Sequence, residues 1–471
     1  MAAVLDFAFV SVDASGKPKS NDRKLIRSHC MRGKNMRIGV PRRLSTPTAN
    51  SCSTQSILPL DDEQGNRHDA RDEAWTAAGQ ITSSLSSSLA LVEFAFSLDN
   101  GAKHLVFHWL SYYRETMYPI EFLIDFDSSQ SEWFYWLFQD VAYLQCSFFM
   151  MSATTDMLMR TPTSPNTYSQ LRKSISLLNQ RLCSTYTSVA LHDSTIAVVV
   201  MLTMFSCMLN DHAGARAHLS GLRQMVRLRG GLEAFKSNTK LSLKLGRVDL
   251  VYALNTGSDG VLCTRPVPYS PLYYNLSAPF SDYDTNIYYD PSKYGASDPR
   301  ILTIFREMQN YSNLINHAHQ TKQRRSESEY LAAIFSFQYR LLQLQDSVID
   351  SLSECLRLAM LAFLVTTFQF PGTRARYPYL ADQLKESCRV FHVKGCAELK
   401  ALLRWVLVVG GISVFDVKAE AEVWMREKWR AGLDGSASWE DVRAQLRQII
   451  WIDSLQDTEG RTVFEELSQK C

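Results

Sequence analysis

Histidines near carboxylates are the residues of this chain best suited to acid–base or metal chemistry. His104 and His108 stand four residues apart, the spacing at which two imidazoles on one helix face can share a metal ion. No third ligand is evident beside them, and the three residues between them are apolar. We therefore interpret the two histidines as a packed, hydrogen-bonded pair rather than a metal site.

Two histidine–aspartate pairs, His192-Asp193 and Asp211-His212, also occur. Their members are neighbours along the chain, which does not show that they form a catalytic pair in space. Both pairs stand where an apolar helical pattern begins, and polar side chains at a helix start explain them better. His218 follows on the apolar side of the second of these patterns. We interpret it as a partly buried core histidine, with a ligand contact as the alternative.

Acidic clusters bear on whether the chain is a helical cyclase, since such an enzyme holds magnesium on aspartate-rich helix faces. The acidic run at 61–63 falls in a linker-like segment, and Asp125 and Asp127 stand outside a clear helix. The chain also lacks the GxGxxG, P-loop, GxSxG and HExxH patterns. We predict no catalytic residues, no metal site and no cofactor.

Two glycine pairs, Gly230-Gly231 and Gly410-Gly411, are the nearest approach to a glycine-rich loop. A phosphate-binding loop needs a strand before it and a helix after it, whereas each pair follows an apolar helical stripe. We predict that both pairs end helices in the left-handed conformation, where glycine carries no steric penalty.

The ten cysteines are dispersed, and no two have the Cys-x-x-Cys spacing typical of a zinc site. Ten in 471 residues are also too few for a disulfide scaffold. The first residues, MAAVLDFAFVSVD, lack the basic region of a signal peptide. We expect buried thiols in a reducing compartment.

The strongest electrostatic feature is a basic segment from Lys17 to Arg43, which carries a net charge of +9 and leaves −7 on the remainder of the chain. Such a segment is suited to binding phosphates or a nuclear import receptor, and a solvated tail is the alternative. Our candidates for contact with nucleic acid or the import receptor are eight of its basic residues: Arg23, Lys24, Arg27, Arg32, Lys34, Arg37, Arg42 and Arg43.

The elements around these residues are predicted to be helical. Hydrophobic residues make up 46% of the chain and charged residues 21%, which excludes a protein that is disordered throughout. Apolar residues recur at helical spacing, and no alternating stretch is long enough for a sheet. The fold class is therefore all-α: a large multi-helix array with an extended or disordered basic N-terminal arm. The clearest helices are predicted near 104–118, 211–229, 351–369, 399–409 and 442–453. Ser438, with Asp441 three residues later, predicts a capping box at the start of the last of these.

Composition divides the chain into two regions. Residues 1–73 read as the basic arm and a flexible linker rich in Ser, Thr and Pro, and residues 74–471 as one helical domain. A Pro- and Tyr-rich loop is predicted at 255–300, since its prolines forbid a regular helix. The apolar run at 194–209 is slightly short for a membrane span, and we predict a buried core helix there.

Several segments together resemble the helical regulatory domain of the fungal-specific transcription factor family, whose members often carry a binuclear zinc cluster. The most recognisable stretch is HDSTIAVVVMLTMFS followed by ARAHLSGLRQMVRLRGGL, at 192–206 and 215–232. FAFVSVDASGK and RKLIRSHCMRGKN near the N-terminus, and LGRVDLVYAL, CLRLAMLAFL, LLRWVLVVGGISVF and SWEDVRAQLRQIIWID further on, follow the family in order. The zinc cluster is absent, because it needs six closely spaced cysteines and only Cys30 and Cys52 precede Cys146.

The resemblance implies a nuclear transcriptional regulator that controls a specialised-metabolite or nutrient gene set through a helical domain that binds an effector or a partner. The implied partners are proteins of the transcription machinery or a DNA-binding co-regulator, and a homodimer stays open. Any DNA contact is expected to be weak, sequence-tolerant and sensitive to salt, since it would be made by the basic segment alone. We expect no membrane partner. The alternatives are an enzyme built on a helical bundle and an interaction scaffold that does not bind DNA.

Overall fold

The computed structural model describes most of the chain from residue 132 onward and a few residues before it. The described residues are 94, 98, 103, 106, 124–125, 132–159, 161–235, 237–262, 289–367, 377–390, 396–419, 422–432 and 438–469.

The described part is all-α, as predicted. Its only strands, β1 (Ile124–Asp125) and β2 (Arg325–Ser326), pair in parallel over two residues. Two short 3-10 helices lie at Leu232–Phe235 and Pro291–Tyr294. The α-helices are α1 (Glu132–Gln139), α2 (Val141–Leu158), α3 (Pro165–Leu182), α4 (Thr187–Ala190), α5 (Asp193–Met208), α6 (His212–Leu228), α7 (Thr239–Thr256), α8 (Pro299–Gln320), α9 (Glu327–Gln343), α10 (Ser351–Thr366), α11 (Pro378–Val390), α12 (Ala397–Ser413), α13 (Val423–Gly432), α14 (Trp439–Ile449) and α15 (Asp453–Ser468).

Two helices that are apolar on nearly all sides form the centre of the C-terminal half. From Cys355 to Thr366 every residue of α10 is buried, and from Leu402 to Ser413 every residue of α12 is buried. A helix without a polar face needs neighbours all round. Helices α8, α9, α11 and α12 accordingly surround α10, and α13, α14 and α15 pack against α12. Helix α7 connects this half to the N-terminal helices through contacts with α5, α9 and α11.

Helices α6 and α10 begin where their patterns placed them, and α14 overlaps the helix predicted near 442–453. Helix α6 ends before Gly230 and Gly231, which adopt positive φ angles of 103° and 93°. Helix α10 begins at residue 351 as predicted, and its last predicted residues, 368 and 369, lie outside the described part of the chain. Helix α14 has the predicted capping box, in which Ser438 and Asp441 bond to each other's backbone amides.

The prediction for Gly410 and Gly411 is wrong. Neither glycine ends a helix, because α12 continues to Ser413. They serve close packing instead. A Cβ atom on Gly410 would lie 2.7 Å from the Phe415 ring, and one on Gly411 would lie 2.6 Å from a methyl group of Val463. These glycines thus allow α15 and the chain after α12 to approach the helix backbone.

The predicted end of the helix near 442–453, at Asp453, is also wrong. Helix α14 ends at Ile449, and Ile450 is extended, with φ −143° and ψ 110°. Buried groups from elsewhere compensate for the interrupted helix, since the Trp405 indole donates a hydrogen bond to the Ile450 carbonyl at 2.7 Å. A separate helix, α15, then begins at Asp453.

The Pro- and Tyr-rich loop predicted at 255–300 is shorter than its predicted limits. Helix α7 includes residues 255 and 256 and is capped by Gly257 at φ 69°. Helix α8 already begins at Pro299, which occupies the first turn, where proline's missing N–H is not needed. Between these limits the structure describes 257–262 and 289–298, including the 3-10 helix at Pro291–Tyr294.

Several predictions fall outside the described residues. These are the basic arm and linker at 1–73, the acidic run at 61–63, Asp127, the two histidines at 104 and 108, and most of the helix predicted at 104–118. The described residues Lys103 and Val106 are helical.

Candidate functional site

Helices α5 and α6, which contain the most recognisable stretch of the sequence, form an antiparallel pair that we call the α5–α6 hairpin. The two helices differ in how much of their surface is buried. Helix α5 is buried on nearly all sides, and its buried residues include Ser194, Thr195 and Thr203, which confirms the predicted core helix. Helix α6 buries one stripe and leaves its other side polar: the buried residues are Ala215, Leu219, Leu222, Met225 and Val226. The pair therefore lies with α5 inside and one face of α6 toward solvent.

Both helices begin at the histidine–aspartate pairs singled out in the sequence. The His192 side chain caps α5 by accepting a hydrogen bond from the Ser194 amide, and Asp193 occupies the first turn. Asp211 caps α6 by accepting from the Gly214 amide at 2.9 Å. The interpretation of these residues as helix starts is confirmed.

An ion pair, which we call the hairpin clasp, ties the end of α6 back to the start of α5. Arg229 donates to Asp193 at 2.6 Å and to the Leu191 carbonyl at 2.7 Å. The second carboxylate oxygen of Asp193 accepts from Asn238 at 3.0 Å. The Arg229 guanidinium also lies over the Phe235 ring, 5.0 Å from its centroid. The clasp orients both ends of the hairpin with charge-assisted hydrogen bonds.

A second ion pair lies next to the clasp and joins three helices. The Asp140 carboxylate, at the start of α2, accepts two hydrogen bonds from Arg181 of α3, at 2.8 and 2.5 Å. It also accepts from the Tyr143 amide at 2.8 Å and from the Ser194 hydroxyl. Burial raises the pKa of Asp140, but these hydrogen bonds outweigh burial and hold the pKa below its ordinary value.

An open cleft of about 450 Å³ lies at the hairpin clasp, because Asp193 and Arg229 both line it, and Asp140 directly follows the lining residue Gln139 in the chain. Helix α1 contributes Tyr135, Trp136 and Gln139 to its lining, and the hairpin contributes His192, Asp193 and Arg229. Trp136 holds the wall in place, because its indole packs edge-on against Tyr143 and against the His192 ring, with centroids 5.3 and 6.4 Å apart. The cleft has the volume typical of a small-molecule site.

A serine, a histidine and an aspartate meet below this cleft, but in an order that does not suit nucleophilic catalysis. His192 Nδ1 lies 2.8 Å from the Ser194 hydroxyl, and Asp140 accepts from the same hydroxyl. In a catalytic triad the carboxylate bonds to the imidazole and the imidazole to the serine. Here Asp140 bonds to the serine itself, and Ser194 is 0% exposed. The arrangement builds a helix start and leaves the hydroxyl out of reach of a substrate.

His218 lies on α6 and is partly buried. Burial lowers its pKa to about 4, against an opposing contribution from Asp211. The imidazole is therefore neutral at physiological pH, which agrees with its interpretation as a core histidine. Among the described residues, no three His, Cys, Asp or Glu side chains gather closely enough to hold a metal ion.

The cysteines that the structure describes are all free thiols, and four of the six are buried. Burial, with a smaller contribution from Asp211, raises the pKa of Cys207 to about 12. Thiols with such high pKa values are protonated and unreactive at neutral pH. Cys183 is exposed and Cys396 is partly so.

The site residues predicted from the sequence and those of the cleft are different sets. All eight basic candidates, Arg23 to Arg43, lie outside the described residues. Sequence reasoning singled out His192 and Asp193 only as a helix start, and it missed Trp136, Arg229 as a partner of Asp193, and the ion pair between Asp140 and Arg181. The one local signal for that pair is an aspartate directly before an apolar helix, which is a common N-cap.

In the part of the chain that the structure describes, no helix combines the length and apolar character that a membrane span requires. Compared with known proteins, the chain matches no family model, no curated protein and no solved structure. The all-α fold and the cleft are therefore described from this structure alone.

Proposed function

We propose that the chain is a transcriptional regulator of the fungal-specific type, which acts in the nucleus, has no enzymatic activity of its own and receives a signal through its helical domain. The observation that carries this proposal is the clasped α5–α6 hairpin. It contains the stretch of sequence that most resembles the family, and it supplies half of the cleft lining. Control of a specialised-metabolite or nutrient gene set belongs to the same proposal.

The arrangement of ionisable groups supports a receiving role better than a chemical one. Asp193 and Asp140 each bond to an arginine, and the serine that meets His192 is buried. Groups that are committed to one another in this way orient helices rather than transfer protons. This geometry favours the regulator over the alternative of a helical-bundle enzyme.

The basic segment supplies the second element of the proposal. In our proposal its net charge of +9 serves to engage a nuclear import receptor, with weak contact to DNA phosphates as a further use. Partner proteins of the transcription machinery, or a DNA-binding co-regulator, then bring the domain to its target genes.

The test compares the cellular location and transcriptional effect of three tagged chains in a fungal host. These are the full chain, a chain lacking residues 1–43, and a chain with glutamine at the eight basic candidates. We expect the full chain to accumulate in the nucleus and both variants to lose that accumulation. Fused to a foreign DNA-binding domain, the chain is expected to change reporter expression.

The controls separate the alternatives. A full chain that stays out of the nucleus would contradict the regulator proposal. Nuclear accumulation with no change in reporter expression would favour the interaction scaffold. Unchanged location after substitution of the eight basic residues would show that the segment is a solvated tail.

A further inference from the structure

The side chains that line the cleft between α1 and the hairpin define the chemistry that a ligand would meet there. Tyr135 lines the cleft with an aromatic side chain that is 52% exposed, and four of the other lining residues are polar. An aromatic ring beside convergent polar groups is typical of a small-molecule site.

Among the described residues, the charged side chains that line the cleft are paired within the protein, since Asp193 bonds to Arg229. The nearby Asp140 carboxylate is paired with Arg181. A charged group that contacts the lining would have to compete with one of these pairs for its counter-charge, or lose part of its hydration without one, and both are costly. The cleft therefore favours a ligand with no net charge.

The uncharged groups of the lining define the rest of the ligand. Tyr135 presents an exposed aromatic ring and Trp136 the small accessible part of its buried indole, and aromatic rings prefer other planar rings in offset or edge-on contact. The exposed Gln139 amide both donates and accepts hydrogen bonds. His192 Nδ1 bonds to Ser194, so Nε2 is the nitrogen that a ligand can contact.

The geometry points to a binding site for a neutral, planar aromatic molecule that carries an amide or a similar hydrogen-bonding group. The cleft, of about 450 Å³, is open to solvent, so a two-ring system would contact its lining on one side and water on the other. This inference rests on the proposed function only in calling the molecule an effector of a regulator. The binding itself is independent of transcription.

Three probes that share one ring system and differ in charge test the inference: 2-naphthamide, 2-naphthoate and 2-naphthylmethylammonium. Their dissociation constants for the purified full chain are measured by ligand-observed NMR and calorimetry. We expect the neutral amide to bind at least tenfold more tightly than either charged probe. Tyr135→Ala is expected to weaken amide binding about tenfold. The matched control is Tyr168→Ala on α3, because its side chain is similarly exposed (49% against 52%) but lies outside the cleft lining.

A charge introduced at the cleft tests the electrostatic argument directly. Gln139→Glu is expected to reverse the preference, so that the cationic probe binds more tightly than the amide. The matched control Gln180→Glu, on the exposed side of α3, is expected to leave the ranking unchanged. Both glutamines are exposed, and unchanged circular dichroism verifies folding.

Equal binding of all three probes, or no binding by any, would overturn the inference. So would amide binding that Tyr135→Ala leaves intact, since the probe would then bind elsewhere. Failure of the regulator proposal gives a different result: the amide binds as expected, while the tagged chain stays out of the nucleus and leaves the reporter unchanged.

Discussion

Loss of the Asp140 carboxylate should destabilise the domain more than any single exposed ion pair, because three helices depend on it. In Asp140→Ala, α2 loses its N-cap, which costs about 1 kcal/mol. Arg181 loses two charge-assisted hydrogen bonds in a site where its side chain is 21% exposed, which costs about 2 kcal/mol more. We expect the free energy of unfolding to fall by about 3 kcal/mol in urea titrations.

Two comparisons divide this cost between its causes. Asn is a good N-cap residue, so Asp140→Asn should retain the cap and recover about 1 kcal/mol. A double-mutant cycle with Arg181→Met should give a coupling energy of about 1–3 kcal/mol. The control is Glu465→Ala, which removes the exposed pair with Arg461 and should cost less than about 0.5 kcal/mol.

The dependence on pH provides a further check. Since the pKa of Asp140 lies below its ordinary value of 3.8 in the fold, the ion pair stabilises the native state fully above that value and is lost as pH falls through the lower, folded pKa. The difference between wild type and Asp140→Asn should therefore be constant from about pH 7 to 5 and decrease only below about pH 4. A cost below about 1 kcal/mol for Asp140→Ala, or a difference that grows on acidification, would refute this account.

Two more predictions concern groups inside the helices. Gly411→Ala should lower the free energy of unfolding by about 1–3 kcal/mol in urea titrations, because the added Cβ would collide with Val463. Alanine is ordinarily preferred to glycine inside a helix, so a stabilised variant would contradict this packing. Because burial lowers the pKa of His218 to about 4, the free energy of unfolding of the wild type should be highest above about pH 6.5 and should fall by up to about 3 kcal/mol toward pH 4. His218→Gln should lose this dependence on pH. An imidazole that titrates near pH 6.5 by NMR would contradict the burial of His218.

Local patterns were sufficient to predict elements whose ends carry their own signals. Helix α6 has an aspartate at its start and two glycines after its end, and both signals act within a few residues. The capping box of α14 is equally local. Helix α10 could be predicted as a central helix because its apolar residues leave no face for water. In each of these cases the residues that determine where the helix lies belong to the helix itself or directly flank it.

Predictions failed where the role of a residue depends on packing against a residue far away in the sequence. Gly410 and Gly411 look like a helix end in sequence, but their role depends on Phe415 and on Val463 of α15, and the pattern before the glycines carries no information about that helix. The break after α14 likewise depends on an indole 45 residues earlier in the chain. Such positions cannot be interpreted without the packing.

The candidate site shows the same division, with a consequence for function. His192 and Asp193 could be assigned to a helix start from the sequence, but the cleft exists because α1 lies beside that start, where Trp136 packs against the His192 ring. Asp140 and Arg181 are 41 residues apart, and neither has a pattern that identifies its partner. Because Asp193 is paired with Arg229, the contact that ties α5 to α6 also balances the charges of the described cleft lining. The ligand class follows from this neutrality: a charge added at Gln139 should change what binds, whereas a charge removed at Asp140 should first change whether the helices stay together.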